Sequence, residues 1–302
     1  MAGTLKTFAG LRDREEGRLI AGRYILRERL GVGSSAKVYS ALDLALQRDV
    51  ALKLLNMSGD VQEIHARFRS EREALQQLAG APHVVSLYDH GEDNGQPFLV
   101  LERVSGSVLS HVLAVLSKSR TRIPMQLQNV LRWFDQICLA IAAAHCRGVI
   151  HRDIKPSNVM LAHPDQHEEI KVFDFGVARS PNHPDEGCSG PLGTLGYMSP
   201  EQPQRRGSEL TPASDVFSLG VLLVEMLSPS ARAQSDVESV ACLAMYAPGS
   251  LRPFLRNLRT DIPDALWEAV ARALETQPEA RYKDAEAFRQ AVRSGFESAA
   301  RN

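Results

Sequence analysis

Residues 151–160 read HRDIKPSNVM, with His, Arg, Asp, Lys, Ser and Asn set side by side between the apolar runs GVI (148–150) and VML (159–161). Ten residues after Met160 begins IKVFDFGVA (170–178), a second strand-like run broken by Asp174 and Gly176. Asp153 and Asp174 are thus strand-edge carboxylates with Lys155 and Asn158 between them. Such a set suits a divalent metal with phosphate, because magnesium favours one or two carboxylates or amides plus substrate phosphates over a full protein cage. Asp174 and Asn158 fit the metal role. Asp153 is left to orient a hydroxyl or accept its proton. Lys155, two residues on along an extended loop, can steady a transferring phosphoryl group.

Two further stretches carry phosphate chemistry. LGVGSSAKV (30–38) places Gly31 and Gly33 between two strands, where the backbone can approach a phosphate and aim its N–H groups at it. An ordinary hairpin turn would use the same glycines. No helix follows, which excludes a dinucleotide fingerprint, and the GK[ST] ending of a Walker loop is absent. VALKLL (50–55) sets Lys53 among apolar neighbours in a strand. About 18 residues on, Glu71 falls inside the apolar stripe Ile64, Phe68, Leu75, Leu78 of a helix. A carboxylate on a buried face calls for a cationic partner, and Lys53 can be that partner. The plainer alternatives are a lysine facing solvent and a helix-edge glutamate reaching water.

The elements that position these residues are short strands first and helices later. RYILRERLGVG, KVYSALD and DVALKLL are alternating or β-branched and bounded by turn residues, which predicts an antiparallel meander. The helix over about 62–79 follows, then strands at VVSLYDHGE and PFLVLERV. From about 105 helices dominate, at 126–146, 213–227, 264–275 and 284–294, with short strands around 149–174. The pattern predicts an α+β chain. A small β-rich lobe with one helix spans 23–104 and a larger, mainly helical lobe spans 105–294, joined near Glu102–Gly106. Residues 1–22 read as a loose extension and 295–302 as a tail.

Thirty-five basic against 36 acidic residues give a net charge of −1, without the basic excess of a nucleic-acid binder. The longest apolar run, LGVLLVEML (219–227), is far short of the ~20 residues a membrane span needs. The four cysteines form no CxxC pair. Cys138 and Cys146, about 12 Å of helical rise apart, cannot bridge. Reduced thiols in a cytoplasmic compartment are the expectation.

Taken together these motifs resemble the eukaryotic-like (Hanks-type) protein kinases, and within them the bacterial serine/threonine kinases of signal transduction. In order the chain has GVGSSAKV, VALK with Lys53, Glu71, HRDIKPSN, DFG (174–176), GTLGYMSPE with SPE (199–201) in place of APE, SDVFSLGVLLVEML and PEARY. The resemblance covers about 24–294. It implies a two-lobed kinase fold with ATP between the lobes, near Gly31, Val32, Gly33, Val38 and Ala51. Glu102 and Val104 would offer hinge backbone, and Leu101 would be the gatekeeper. Lys53, paired with Glu71, would contact the α- and β-phosphates. Asn158 and Asp174 would hold magnesium, or manganese in its place. Asp153 would orient the acceptor hydroxyl and Lys155 would neutralise charge on the γ-phosphate. Lys155 with Thr194 points to the serine/threonine branch. Asp215 would brace the catalytic loop, and Arg281 would pair with Glu201.

Two departures stand out: Ala36 replaces the third glycine of the loop, and Arg103 stands at the hinge where relatives often carry an aromatic. Arg152 beside Asp153 implies regulation by a phosphate on the activation segment, with Ser189 the first candidate and Ser180 another. Related kinases also pair as homodimers for activation in trans. A nucleotide-responsive scaffold of the same fold would usually lack the strand lysine, the catalytic aspartate or the metal aspartate, whereas Lys53, Asp153 and Asp174 are all present. A small-molecule phosphotransferase would lack the GTxxYxSPE segment. The resemblance is equally compatible with the cytoplasmic part of a larger or membrane-anchored kinase.

Overall fold

A computed structural model of the chain describes residues 15–33, 35–58, 60–118, 125–162, 168–175, 196–203, 210–228 and 233–299. The chain divides into two units, one of residues 1–68 and 87–103, the other of 69–86 and 104–302.

The first unit holds a six-stranded antiparallel sheet. Its strands are β1 (Leu19–Ile20), β2 (Tyr24–Val32), β3 (Ala36–Asp43), β4 (Arg48–Leu55), β5 (Leu87–Asp93) and β6 (Gln96–Glu102), in the order β1-β2-β3-β4-β6-β5. Alternation sorts the side chains. Tyr24, Leu26, Tyr39, Ala41, Val50, Leu52, Leu54, Phe98 and Val100 form one buried cluster, which leaves Ala51 and Lys53 of β4 on the opposite face. Hydrogen bonds tie the far strand β5 back to the residues flanking β1 and to β2. Arg18 and the Ala21 N–H reach the Asp93 carboxylate at 2.7 and 3.0 Å, and the Tyr24 hydroxyl donates to Asp89 at 2.6 Å. Leu19 and Ile20, inside the stretch expected to be a loose extension, therefore belong to the sheet.

The helix α1 (Val61–Gln77) crosses the division after Phe68, so Arg69–Ser86 joins the second unit and not the β-rich lobe expected over 23–104. Backbone pairing explains this. The Val172 N–H donates to the His83 carbonyl at 2.7 Å, and the Val85 N–H donates to the Val172 carbonyl at 3.0 Å. The second unit adds a three-stranded sheet of β7 (Gly106–Val108), β8 (Val159–Ala162) and β9 (Glu169–Val172), with β8 central. Its first strand needs glycine at 106, where a Cβ would lie 2.1 Å from the Leu161 carbonyl oxygen.

Among its described residues seven α-helices complete this unit: α2 (Leu109–Lys118), α3 (Leu127–Cys146), α4 (Pro212–Leu227), α5 (Ala233–Tyr246), α6 (Pro248–Leu258), α7 (Asp264–Ala273) and α8 (Ala285–Ala299). Fourteen of the 16 residues of α4 are buried, so the helix is enclosed on nearly all sides. Pro212, at its first turn, starts it without sacrificing a hydrogen bond. The helices α2, α5 and α6 were not evident in the sequence; α6 carries Pro253 in its interior, which reads as a break. The last helix runs to Ala299, five residues beyond the expected end at 294. Among the described residues no helix is long and apolar enough to cross a membrane.

Candidate active site

In the first unit the strand register lines up Gly31, Val38, Lys53 and Leu99 across four strands, and Ala51 with Leu101 one step along. Residues directly opposite share a face, so Gly31, Val38, Ala51, Lys53 and Leu101 lie on one face of the sheet, away from the buried cluster. Gly33 closes the turn by donating to the Ala36 carbonyl at 2.8 Å. A Cβ on Gly31 would meet nothing within 4 Å, and one on Gly33 would meet only the Ala36 oxygen at 3.6 Å. Packing among the described residues therefore does not demand either glycine. Val32 differs: it is 62% exposed, pairs with Lys37 and lies on the other face from Gly31. Lys53 is 8% exposed in this unit and Glu71 is 4% exposed in the other. Glu102 ends β6, and Val104 opens the second part of the other unit.

The second unit gathers the remaining motif residues. The hairpin β8–β9 pairs Val159 with Val172, so Asn158, just before β8, meets the residues just after β9. The Phe173 N–H donates to the Asn158 carbonyl at 3.0 Å, which brings Asn158 alongside Asp174. Both side-chain amide hydrogens of Asn158 are committed, to the Asp153 carbonyl at 2.8 Å and to Asp153 Oδ2 at 3.0 Å. Its Oδ1 takes part in neither bond and can serve as a lone-pair donor. Lys155 Nζ lies 2.7 Å from the same Asp153 Oδ2. The other carboxylate oxygen of Asp153, Oδ1, is buried and has no hydrogen-bond partner among the described residues. A buried, unpaired carboxylate oxygen is costly unless something else occupies it.

The loop carrying Asp153 is held from below. His151 Nε2 lies 3.3 Å from the Phe173 carbonyl oxygen, and its Nδ1 lies 3.3 Å from the Asp153 backbone nitrogen, so the ring is held at both ends. Its ring lies 4.5 Å from that of Phe175, centroid to centroid. Asp215, in the first turn of α4 and fully buried, accepts from the backbone N–H groups of His151 and Arg152 at 2.8 Å each and from His145 Nε2 at 2.9 Å. Burial alone would push its carboxyl up; the His145 hydrogen bond, with the charges and N–H groups around it, outweighs burial and holds it below the usual carboxylate range. Glu201 is similar. Burial raises it, but Arg281 donates to both its oxygens at 2.8 Å and the net shift is downward.

The chain matches the protein kinase domain over residues 24–291. The chain belongs to the protein kinase family. Its kinase domain is similar to that of the serine/threonine-protein kinase PrkC of Bacillus subtilis, 32% identical over 93% of this chain and 42% of the relative. It is likewise similar to PknL of Mycobacterium tuberculosis, 34% identical over 92% of this chain and 66% of the relative. The chain thus spans about two fifths to two thirds of the length of these curated relatives. The solved PknI kinase domain of Mycobacterium tuberculosis shares the fold, with a TM-score of 0.69 at 25% identity over 93% of this chain and 98% of that one. The kinase domain is of the Hanks type found in bacterial serine/threonine kinases, a curled β-sheet lobe followed by a helical one.

Thr194, Ser180 and Ser189 lie outside the described residues. Three residues of the kinase domain whose contacts were not legible in the sequence bond its catalytic loop, the brace Asp215 or Glu201. His145 reaches Asp215 from α3; its Nδ1 accepts from the Ala285 N–H of α8 at 3.2 Å. Gln202 bonds the Arg152 carbonyl at 2.9 Å, and Ser214 donates to Glu201 at 2.8 Å. A lone His, Gln or Ser on an apolar element carries no sequence signal of such a contact.

Proposed function

We propose that the chain is an ATP-dependent protein serine/threonine kinase that transfers the γ-phosphate to Ser or Thr hydroxyls of proteins. The observation that carries this reading is the state of Asp153, one oxygen tied by Lys155 and Asn158 and the other buried and unpaired. An acceptor hydroxyl would supply the hydrogen bond that this oxygen lacks. Asp153 Oδ1 takes the hydroxyl's hydrogen bond and aims its oxygen; the oxygen bonds to the γ-phosphorus as the bond to the β–γ bridging oxygen breaks, the proton passes toward Asp153, and ADP leaves. Lys155 neutralises charge on the transferring group. Lys53 contacts the α- and β-phosphates, and the unfilled space at Gly31 and Gly33 admits the triphosphate close to the backbone. Asn158 Oδ1 and Asp174 would hold Mg²⁺, which supplies charge neutralisation and orients the phosphates when bound.

This reading includes a cytoplasmic setting and self-phosphorylation of the activation segment, at Ser189 first and Ser180 second. A second copy would supply that phosphate in trans, with a rate that rises with protein concentration. Intact-mass spectrometry before and after Mg-ATP, beside K53M, tests the whole. Mass gains in steps of one phosphate in the wild type alone are expected. No gain, even on a generic acceptor protein, would refute it.

A further inference from the structure

Arg152, the residue before Asp153, has φ +67°. That left-handed conformation is disfavoured for any residue with a Cβ and persists only where the surroundings over-determine it. Here both sides of the residue are clamped by buried side chains from different elements. Its N–H donates to Asp215 Oδ1 at 2.8 Å, from α4. Its carbonyl accepts from Gln202 Nε2 at 2.9 Å, from the turn that follows SPE. Gln202 is fixed in turn, since its Oε1 accepts from the Ser199 N–H at 2.9 Å and from the Ser199 hydroxyl at 3.0 Å. Two donors on one oxygen decide which end of the amide faces Arg152. Ser199 is fully buried and Gln202 is 5% exposed, so the arrangement is shielded from solvent.

We propose that Gln202 is a positioning residue for Asp153, and that Ser199 sets its amide, so that one buried side chain ties the SPE segment to the catalytic loop. The proposal rests on the kinase reading for Asp153's role; the clamp itself does not. An alanine at 199, as in APE, would leave Gln202 Oε1 with the backbone donor alone, so the serine hydroxyl is the second lock. Displacing Ser199 withdraws Gln202 from the Arg152 carbonyl. Arg152 then relaxes out of the left-handed region and turns the peptide that carries Asp153.

Q202M keeps the length of Gln202 without its amide, and S199A removes one of the two locks. Hydrogen exchange across residues 150–158 and steady-state kinetics on a generic acceptor protein are the readouts. In Q202M, exchange over 151–154 rises while that of the α4 interior stays at the wild-type level. Its kcat falls about tenfold, the worth of one lost hydrogen bond, with the KM for ATP unchanged. S199A gives a smaller loss, and adds nothing in the Q202M background because Ser199 acts through Gln202. Unchanged exchange over 151–154, or losses that add in the double variant as packing defects would, overturns the proposal. If the wild type transfers no phosphate, the kinase reading fails and the exchange data alone decide the clamp. If Q202M does not fold, S199A is held to the same exchange criterion, and no rise overturns the proposal.

Discussion

Replacing Arg281 by Met removes a guanidinium whose five N–H donors are all engaged. Two go to the Glu201 carboxylate at 2.8 Å, and the others go to the carbonyls of Ala213, Thr276 and Glu275 at 2.9, 2.9 and 2.7 Å. Removing one partner of a buried ion pair costs about 3–5 kcal/mol, because the other charge stays buried and uncompensated. Leaving the buried Ala213 carbonyl and the part-buried carbonyls of Thr276 and Glu275 short adds up to about 1 kcal/mol each. The sum, about 4–8 kcal/mol, is comparable with the whole stability of a domain, about 5–15 kcal/mol. R281M is therefore expected to be unfolded or barely folded at pH 7. E201M/R281M removes the stranded charge and is expected to recover about 3 kcal/mol or more over R281M, measured by urea unfolding followed by circular dichroism. Acidification should also help R281M relative to the wild type. With Arg281 present the Glu201 carboxyl is held low, so its contribution exists above the unfolded carboxylate value of about 4.3 and is lost as pH falls through the folded one. Without Arg281 the carboxyl protonates readily in the fold. A double variant no more stable than R281M would refute the reasoning.

Three other outcomes follow from the geometry. D153N, which replaces the unpaired oxygen's carboxylate by an amide, should lower kcat by about 10²–10⁴ with little change in thermal stability, checked by phosphate transfer and melting; an equal loss of both would point to misfolding instead. Glu225, hydrogen-bonded by the Tyr197 hydroxyl, is pushed up by burial, so its ionisation weakens the fold as pH rises through its folded value; E225Q should gain on the wild type between acidic and alkaline melts, and parallel curves would contradict this. G106A drives a Cβ against the Leu161 carbonyl and should cost about 1–3 kcal/mol or more by parting β7 from β8, seen as faster exchange at Ser107 and Val108; wild-type stability would contradict it.

The motif residues were legible because each pairs an unusual side chain with a fixed local pattern: a lysine in an apolar strand, a carboxylate in an apolar helical stripe, or polar residues at strand edges. The strands β2, β3 and β4 and the helices α3, α4 and α7 were legible from alternation and stripe. The helices α2, α5 and α6 were not, since α6 has a proline inside it and local pattern alone did not mark the other two. The two-residue strand β1 escaped because its order comes from Arg18 and Ala21 binding Asp93, more than 70 residues away.

Residue types and spacing determined by themselves which groups could do phosphate chemistry, because side-chain charge and donor type are local properties. Tertiary structure alone decided which of them are held and by what. The sheet register gathers Gly31, Val38, Ala51 and Lys53 on one face and leaves Val32 on the other. Asp153 keeps one buried oxygen without a partner among the described residues, because Asn158 and Lys155 converge on the other. The clamp on Arg152 joins residues 50 and 63 positions apart. Hydrogen bonds act over about 3 Å of space, and nothing in a linear pattern specifies which distant donor will arrive there.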